Sequence, residues 1–410
     1  AIMEPPPALG AMAALACLAG FPSLLLARGR RERRGADGGK EPRAAKPSLF
    51  EALGRPKFVV APMVDQSELP FRLLARRYGA TLCYTPMLNA NSFVSSAAFR
   101  EEILGSIPPE DRPLIVQFAG HDPAILLRAA RYVEHCCDAV DLNLGCPQHI
   151  ARRGRYGAYL LEEEDLVVEI VRTLASSLSV PVSCKIRLFR DDLDRSLRLC
   201  KRLEAAGCAL LTVHGRTRYQ NKEAVGSCDW SAIAKVKAAV NMPVIANGGI
   251  ETFEDVQRCL EATGADGVMS SEAVLENPAL FARNLDDQGN FVDQNRLARE
   301  YLELVRMYPP DGGKKDAKGE CPKCIKAHVF KMLYAGLQAN TDLRARVADA
   351  LTLEEFEAVA AELAGRSWEQ PLHNQEGYRP HLSWYRRHRV AKMEQARQEK
   401  ASTEDPAAED

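Results

Sequence analysis

Between Phe50 and Asp287 the chain alternates short apolar runs with longer amphipathic ones, about eight times over. The apolar runs are Phe58 to Ala61, Leu82 to Tyr84, Leu114 to Phe118, Ala139 to Asn143, Val182 to Ile186, Leu210 to Val213, Val244 to Ala246 and Gly267 to Met269. Their length and near-continuous apolarity read as strands covered on both faces. Helical spacing fills the intervals, for example at Pro123 to His135, Asp165 to Leu178, Leu193 to Ala206 and Phe253 to Ala262. A repeated strand–helix unit of this kind predicts an α/β protein with a parallel sheet. An open doubly wound sheet would carry a Gly-x-Gly-x-x-Gly turn after its first strand, and Val60-Ala61-Pro62-Met63 carries none. The reading is a (β/α)8 TIM barrel over residues 51–287.

In such a barrel the polar residues just past each strand form the functional face. Here they are Pro62-Met63-Val64, Gln117, Asn143 with Cys146, Lys185 with Arg187, His214, Asn247-Gly248-Gly249 and Ser271. A cation, two amides, a histidine and a glycine pair at successive strand ends suit a flat polar ring and a phosphate. Gly248 and Gly249 precede a helix start at Thr252, so backbone N–H groups are available to an anion there. Each residue has a plainer explanation, Lys185 as a surface lysine and His214 as a structural histidine. Packing does not explain the whole set.

The segment Ala139-Val140-Asp141-Leu142-Asn143-Leu144-Gly145-Cys146-Pro147 ends its strand abruptly, because Gly145 permits a tight turn and Pro147 cannot continue a ladder. That places the Cys146 thiol at the barrel mouth with Asn143 three residues before it. The alternative is an inert core cysteine. The 12 cysteines are scattered through apolar runs rather than set in a disulfide framework, which suits a reducing compartment. Lys plus Arg number 54 against 55 for Asp plus Glu, so any polyanion site must be a local patch.

Ala8 to Ala27 is apolar and long enough to span a bilayer, but Gly20 and Pro22 interrupt it and Arg28 to Arg34 follow rather than precede it. Residues 1–50 are read as a poorly ordered or targeting extension and linker, with a cytoplasmic or nuclear setting expected ahead of a mitochondrial or membrane-associated one. Asn295 to Met307, Ile325 to Ala339 and Leu353 to Leu363 have helical spacing, so a small helical domain over residues 295–365 is expected after the barrel. Cys321-Pro322-Lys323-Cys324 is a lone pair without a second one, and no metal is expected. Residues 366–410 carry the basic and aromatic run Trp384 to Arg389 and are read as a flexible tail.

Two segments carry a resemblance. Asn143-Leu144-Gly145-Cys146-Pro147 and His214-Gly215-Arg216-Thr217-Arg218-Tyr219-Gln220 are similar to the hallmark motifs of tRNA-dihydrouridine synthases. Ala61-Pro62-Met63, Lys185-Ile186-Arg187, Asn247-Gly248-Gly249 and Ala327 to Leu333 agree in order and spacing. The resemblance runs from about Pro56 to Leu363 and is nearest the eukaryotic subgroup acting on two adjacent D-loop uridines. It implies FMN at the barrel mouth, NADPH as reductant and uridine in tRNA as substrate, with no obligatory protein partner. On it, Pro62, Met63, Val64, Gln117, Lys185, His214, Asn247, Gly248 and Gly249 hold FMN, and Cys146 is the catalytic acid. Many bacterial members have Gly-Arg where this chain has Ser271-Glu272, so contact with the cofactor phosphate there would fall to backbone N–H groups.

The chemistry agrees with these residue types. Reducing the uracil C5–C6 bond requires hydride at C6 and a proton at C5, and an ordinary thiol is still protonated at neutral pH. Asn143 and Arg187 are expected at the uracil edge. Arg152, Arg153 and Arg155 after the cysteine loop, with Lys323, Lys326 and Lys331 on the helical domain, are expected at RNA phosphates. A flavin barrel acting on a free pyrimidine, and a non-catalytic RNA-binding relative, are the alternatives. The helical domain argues against the first, and Cys146 with Lys185 against the second.

Overall fold

The computed structural model describes residues 48–221, 226–310, 323–371 and 379–385. The apolar N-terminal stretch lies outside them. Among the described residues there are nine strands: β1 (Phe58–Val60), β2 (Leu82–Tyr84), β3 (Leu88–Asn89), β4 (Leu114–Ala119), β5 (Ala139–Leu144), β6 (Val182–Leu188), β7 (Cys208–Thr217), β8 (Val244–Asn247) and β9 (Gly267–Ser270). All are parallel, and the order β2-β1-β9-β8-β7-β6-β5-β4 closes through pairing of β2 with β4. This is the expected eight-stranded barrel. The two-residue β3 pairs with the end of β4 and extends the rim there.

Side-chain alternation sorts the apolar residues into an outer and an inner layer. Val182, Cys184, Ile186 and Leu188 of β6 belong to the large cluster between strands and helices. Val59, Leu82, Ile115, Ala139, Leu210 and Ile245 form a separate inner cluster. Leu49 and Leu53, from the short helix Leu49–Ala52 and its end, join that inner cluster. Toward the C-terminal ends of the strands the interior turns polar. Gln117, Asp141, Ser183 and Thr212 are wholly buried. The register then sets Asn143 beside Lys185, Arg187 beside His214, and His214 beside Asn247.

Local chemistry starts the helices where they are needed. Asp122 caps Pro123–Val133, Asp192 caps Leu193–Ala205, and Asp229 caps Trp230–Ala239. Each satisfies N–H groups that the first turn leaves open. The capping boxes Thr252/Asp255 and Thr352/Glu355 do the same reciprocally.

Beyond the barrel come the helices Gln294–Met307, Lys323–Met332, Tyr334–Ala339, Thr341–Asp349 and Leu353–Ala364. The single helix expected over Ile325 to Ala339 is broken at Leu333, which leaves helical geometry. The break brings Gly336 against Leu363 and the Trp368 ring, so closely that a Cβ would lie 2.8 and 2.9 Å from them. These helices share the outer core with the barrel: Phe71, Tyr301, Val329 and Phe356 belong to one cluster. A polar link joins them too. The Glu68 carboxylate accepts from Tyr301 Oη at 2.8 Å and lies 3.0 Å from His328 Nε2. Burial opposes charge on Glu68, but His328 and these hydrogen bonds outweigh it and lower its pKa. Among the described residues no helix is long and apolar enough to cross a membrane.

Candidate active site

A cleft of about 1220 Å³ opens at the C-terminal ends of the strands. Of the residues singled out from sequence, Pro62, Val64, Asn143, Cys146, Arg152, Lys185, Arg187, His214, Asn247, Gly248, Gly249, Ser271 and Glu272 line it. Arg216 and Arg218 line it as well. Five cationic side chains and one carboxylate on a chain of net charge -1 make it a concentrated positive patch.

Cys146 is held from several sides. Asn143 Oδ1 accepts from the backbone N–H groups of Gly145 and Cys146, both at 3.0 Å. Arg187 Nε donates to the Gly145 carbonyl at 2.9 Å. The Cys146 carbonyl accepts from Ala158 N at 3.0 Å, and the Pro147 carbonyl from Tyr159 Oη at 3.2 Å. Gly157, with φ +66°, sits so close that a Cβ would lie 2.6 Å from the Cys146 carbonyl oxygen. Arg187 Nη1 also donates to the carbonyls of Thr217 and Gln220, at 2.7 and 3.1 Å, tying the cysteine loop to the loop after β7. Arg187 is therefore committed to the backbone on both sides of the cleft. Burial first, and then Arg216, lower its pKa to about 10.

Beneath the floor runs a buried chain. Asn143 Nδ2 donates to Gln117 Oε1, Gln117 Nε2 to Asp141, and Ser183 Oγ to Asp141, all at 2.7 Å. Burial raises the Asp141 pKa to about 6 against the pull of Ser183 and Gln117. Gln117 lies in this chain: it shares the inward face with Asn143 but is wholly buried, in register with Asp141 and one layer below the Asn143–Lys185 pair. Met63, between the cleft-lining Pro62 and Val64, is half-buried and packs against both the outer and the inner cluster.

Lys185 Nζ donates to Asn247 Oδ1 at 2.8 Å, while Asn247 Nδ2 donates to the Met269 carbonyl at 3.0 Å. The amide is thereby oriented with its oxygen toward the ammonium. Burial, then Arg187, depress the Lys185 pKa to about 8, with Asp141 opposing them.

Opposite the cysteine, Gly248 and Gly249 both have positive φ, +101° and +78°. A Cβ on Gly248 would lie 2.8 Å from the His214 ring, so the backbone must remain bare here. Trp230 Nε1 donates to the Gly248 carbonyl at 3.0 Å and fixes the turn. His214 Nε2 is 3.1 Å from Arg216 Nη1, and Arg216 Nη2 is buried with no hydrogen-bond partner. A buried guanidinium nitrogen without a partner is costly unless a ligand supplies one. Arg216 is a further cation of the site, one to which the sequence alone assigns no role. The signal was its position two residues after His214 on the same strand.

The cations expected at RNA phosphates separate in the structure. Arg152, Arg153 and Lys323 are exposed. Arg155 is paired with Glu163 at 2.6 Å. Lys326 Nζ donates to the Ala348 carbonyl at 2.7 Å. Lys331 is only 6% exposed, and burial lowers its pKa to about 8 against the pull of Glu68. Helical periodicity turns Lys331 inward, so it is not on a surface stripe with Lys323. Cys324 is buried, and Cys321 lies outside the described residues.

A family model described as dihydrouridine synthase matches residues 59–369. The rat protein named tRNA-dihydrouridine(16/17) synthase [NAD(P)(+)]-like is 49% identical over 331 residues, covering 80% of this chain and 72% of its own. The Saccharomyces cerevisiae tRNA-dihydrouridine(16/17) synthase [NAD(P)(+)] is 45% identical over 320 residues, covering 75% and 73%. The human tRNA-dihydrouridine(20a/20b) synthase [NAD(P)+]-like is 41% identical over 227 residues, covering 55% and 70%.

Proposed function

From the premise that the chain belongs to the dihydrouridine synthase family, we propose that it is an FMN- and NAD(P)H-dependent enzyme that reduces uridine to 5,6-dihydrouridine in tRNA. The positions are the (16/17) pair for which its relatives are named, taken as two adjacent uridines of the D-loop. The carrying observation is the cysteine clamped at the lip of a positive cleft, across from a bare glycine turn and an unpartnered guanidinium nitrogen.

The residues present fit a flavin mononucleotide. Arg216 Nη2 and the N–H groups of the Gly248–Gly249 turn suit its phosphate, and Lys185 supplies a cation for the ring system. When bound, the flavin supplies the hydride that uracil C6 receives. The other half of the reaction falls to this chain. Cys146 delivers the proton to C5 from the opposite face of the base. The hydrogen bonds on its loop hold the sulfur still while the proton moves. Asn143 and Arg187 act mainly by holding that loop. Arg152 and Arg218 at the rim face the phosphates of an RNA whose target base has left its stack.

The test is to purify the protein, look for a yellow flavin released on denaturation, and supply NADPH with unmodified tRNA. Dihydrouridine should form at the paired D-loop positions, and tRNA from cells lacking the protein should lose it there. A colourless protein that FMN does not reconstitute would defeat the cofactor assignment.

A further inference from the structure

The loop that carries Cys146 is held by an amide whose orientation is set from below. Two backbone N–H groups, of Gly145 and Cys146, donate to the Asn143 side chain at 3.0 Å. Only an oxygen accepts from both, so the amide turns Oδ1 to the loop and Nδ2 into the barrel. Nδ2 then needs an acceptor, which is Gln117 Oε1 at 2.7 Å. That leaves Gln117 Nε2 needing one in turn. Asp141 Oδ2 supplies it at 2.7 Å, while Asp141 Oδ1 accepts from Ser183 Oγ at 2.7 Å. An ionised carboxylate accepts and never donates, so it can end such a run of donors. Strand register assembles the set, since Gln117 on β4 pairs with Asp141 on β5, which pairs with Ser183 on β6. Packing does not call for a carboxylate here. Two residues earlier on the same strands, Ile115 and Ala139 belong to the apolar inner cluster. Asp141 is wholly buried, and burial raises its pKa to about 6. That burial costs stability that an apolar side chain of the same size would not.

Resting on the function proposed above, we propose that Asp141 is a positioning residue for the proton donor: it holds the Cys146 loop through Gln117 and Asn143, by setting which way both amides point. Asp141 lies beneath the cleft and touches no reacting group itself. The rival is a purely electrostatic role toward Lys185, two residues beyond Ser183 on β6, whose pKa burial and Arg187 depress and Asp141 raises. Two substitutions separate these roles. Asparagine and leucine are both close to aspartate in size, and both remove its charge. In Asp141→Asn the amide oxygen still accepts from Gln117, and its N–H donates to Ser183 Oγ, because a hydroxyl accepts as readily as it donates. In Asp141→Leu both Gln117 Nε2 and Ser183 Oγ lose their acceptor. Positioning by hydrogen bonds therefore expects the asparagine variant near wild type and the leucine variant far from it. A role for the charge expects the two to behave alike.

The experiment compares the full-length enzyme with Asp141→Asn, Asp141→Leu and Gln117→Leu, all at saturating FMN. Three rates are read: NADPH-driven flavin reduction, single-turnover uridine reduction on unmodified tRNA, and alkylation of Cys146 by iodoacetamide without tRNA, followed by mass spectrometry. Asp141→Leu should slow uridine reduction by about 10²-fold, the order that a 1 Å misplacement costs. Flavin reduction should stay unchanged, and Cys146 should alkylate faster in the loosened loop. Asp141→Asn should restore both altered rates to near wild type. In an Asn143→Ala background Asp141→Leu should add little more, as expected of residues acting through one contact. An Asp141→Leu enzyme with wild-type uridine reduction and alkylation overturns the assignment. So does one whose flavin reduction falls in step with uridine reduction, and so do equal losses in the asparagine and leucine variants. If Asp141→Leu does not fold, Gln117→Leu cuts the same run between Asp141 and Asn143, and wild-type rates in that variant overturn the assignment equally. Wild-type enzyme that reduces its flavin but leaves every tRNA uridine intact would instead defeat the function proposed above, while the alkylation rates would still decide whether Asp141 holds the loop.

Discussion

Cys146 depends on neighbours that do not share its chemistry: Asn143 and Arg187 hold its loop and Gly157 backs it. Replacing Cys146 by alanine should leave FMN binding and NADPH-driven flavin reduction intact. Dihydrouridine formation should fall by about 10²–10⁴, the range for a positioned acid, measured as single-turnover rates on tRNA. Lys185 makes a pH prediction. Its pKa of about 8 in the fold is below the ordinary lysine value of about 10.4. The folded protein therefore gives up this proton as pH rises through 8, while the unfolded chain keeps it to about 10.4. The charged, buried ammonium disfavours folding below pH 8, and that penalty is relieved as pH climbs from 8 toward 10.4. Binding of an anionic cofactor has the opposite dependence, since it uses the charged form. FMN affinity of the apoprotein should fall above about pH 8, and Lys185→Met should flatten that fall. Equal pH profiles for the two proteins would remove Lys185 from the cofactor site.

At the scale of elements, the strands and most helices of the barrel were legible because each is written in its own residues: a buried β-run or an amphipathic stretch with a cap. The strand-end set was legible for the same reason, since strand ends converge in any closed barrel. What escaped was decided by partners distant in sequence. Gln117 looks like a cleft residue from its place on β4, but the register of β4 against β5 sets it one layer down beside Asp141. Lys331 looks like a surface cation until its helix packs with that face inward. Nothing near Gly157 announces that it backs Cys146. Gly157→Ala should strain the turn and displace the cysteine loop. A misplacement of about 1 Å is worth roughly 10²-fold in rate, so the uridine-reduction step should slow by that order while flavin reduction persists. The RNA-facing elements give another test. Arg152→Ala and Arg153→Ala should each lower the log–log salt slope of tRNA binding by a little under one unit. Lys331→Ala should leave the slope alone and lower the melting temperature. A slope change from Lys331 alone would reverse that assignment.

For the whole molecule, the barrel and the helices after it behave as one body. The outer core runs without a break from Phe71 and Leu74 to Tyr301, Val329 and Phe356. Glu68, at the start of a barrel helix, finds its partners on the helices beyond the barrel. A fragment ending near Asp287 would bare that apolar surface and leave Glu68 without Tyr301 and His328. It should aggregate rather than fold, and the intact protein should melt in a single transition. Glu68→Gln, which removes the charge while keeping the shape, should cost about 1–3 kcal/mol by denaturant titration.

The Glu276 carboxylate, which accepts from Ser383 Oγ and from the N–H groups of Trp384 and Tyr385, ties the cleft to a late stretch of the chain. The last barrel strand ends at Ser270, and Tyr385 follows 115 residues later (385 − 270). At roughly 5–20 residues per second on the ribosome, every nascent chain spends on the order of 10 s with all its strands made and its last aromatic wall still unmade. During that interval the Cys146 loop, the glycine turn and Arg216 already exist as polypeptide, while Tyr385, which lines the same cleft, does not. The order of synthesis thus makes most of the cleft's lining well ahead of its last residue.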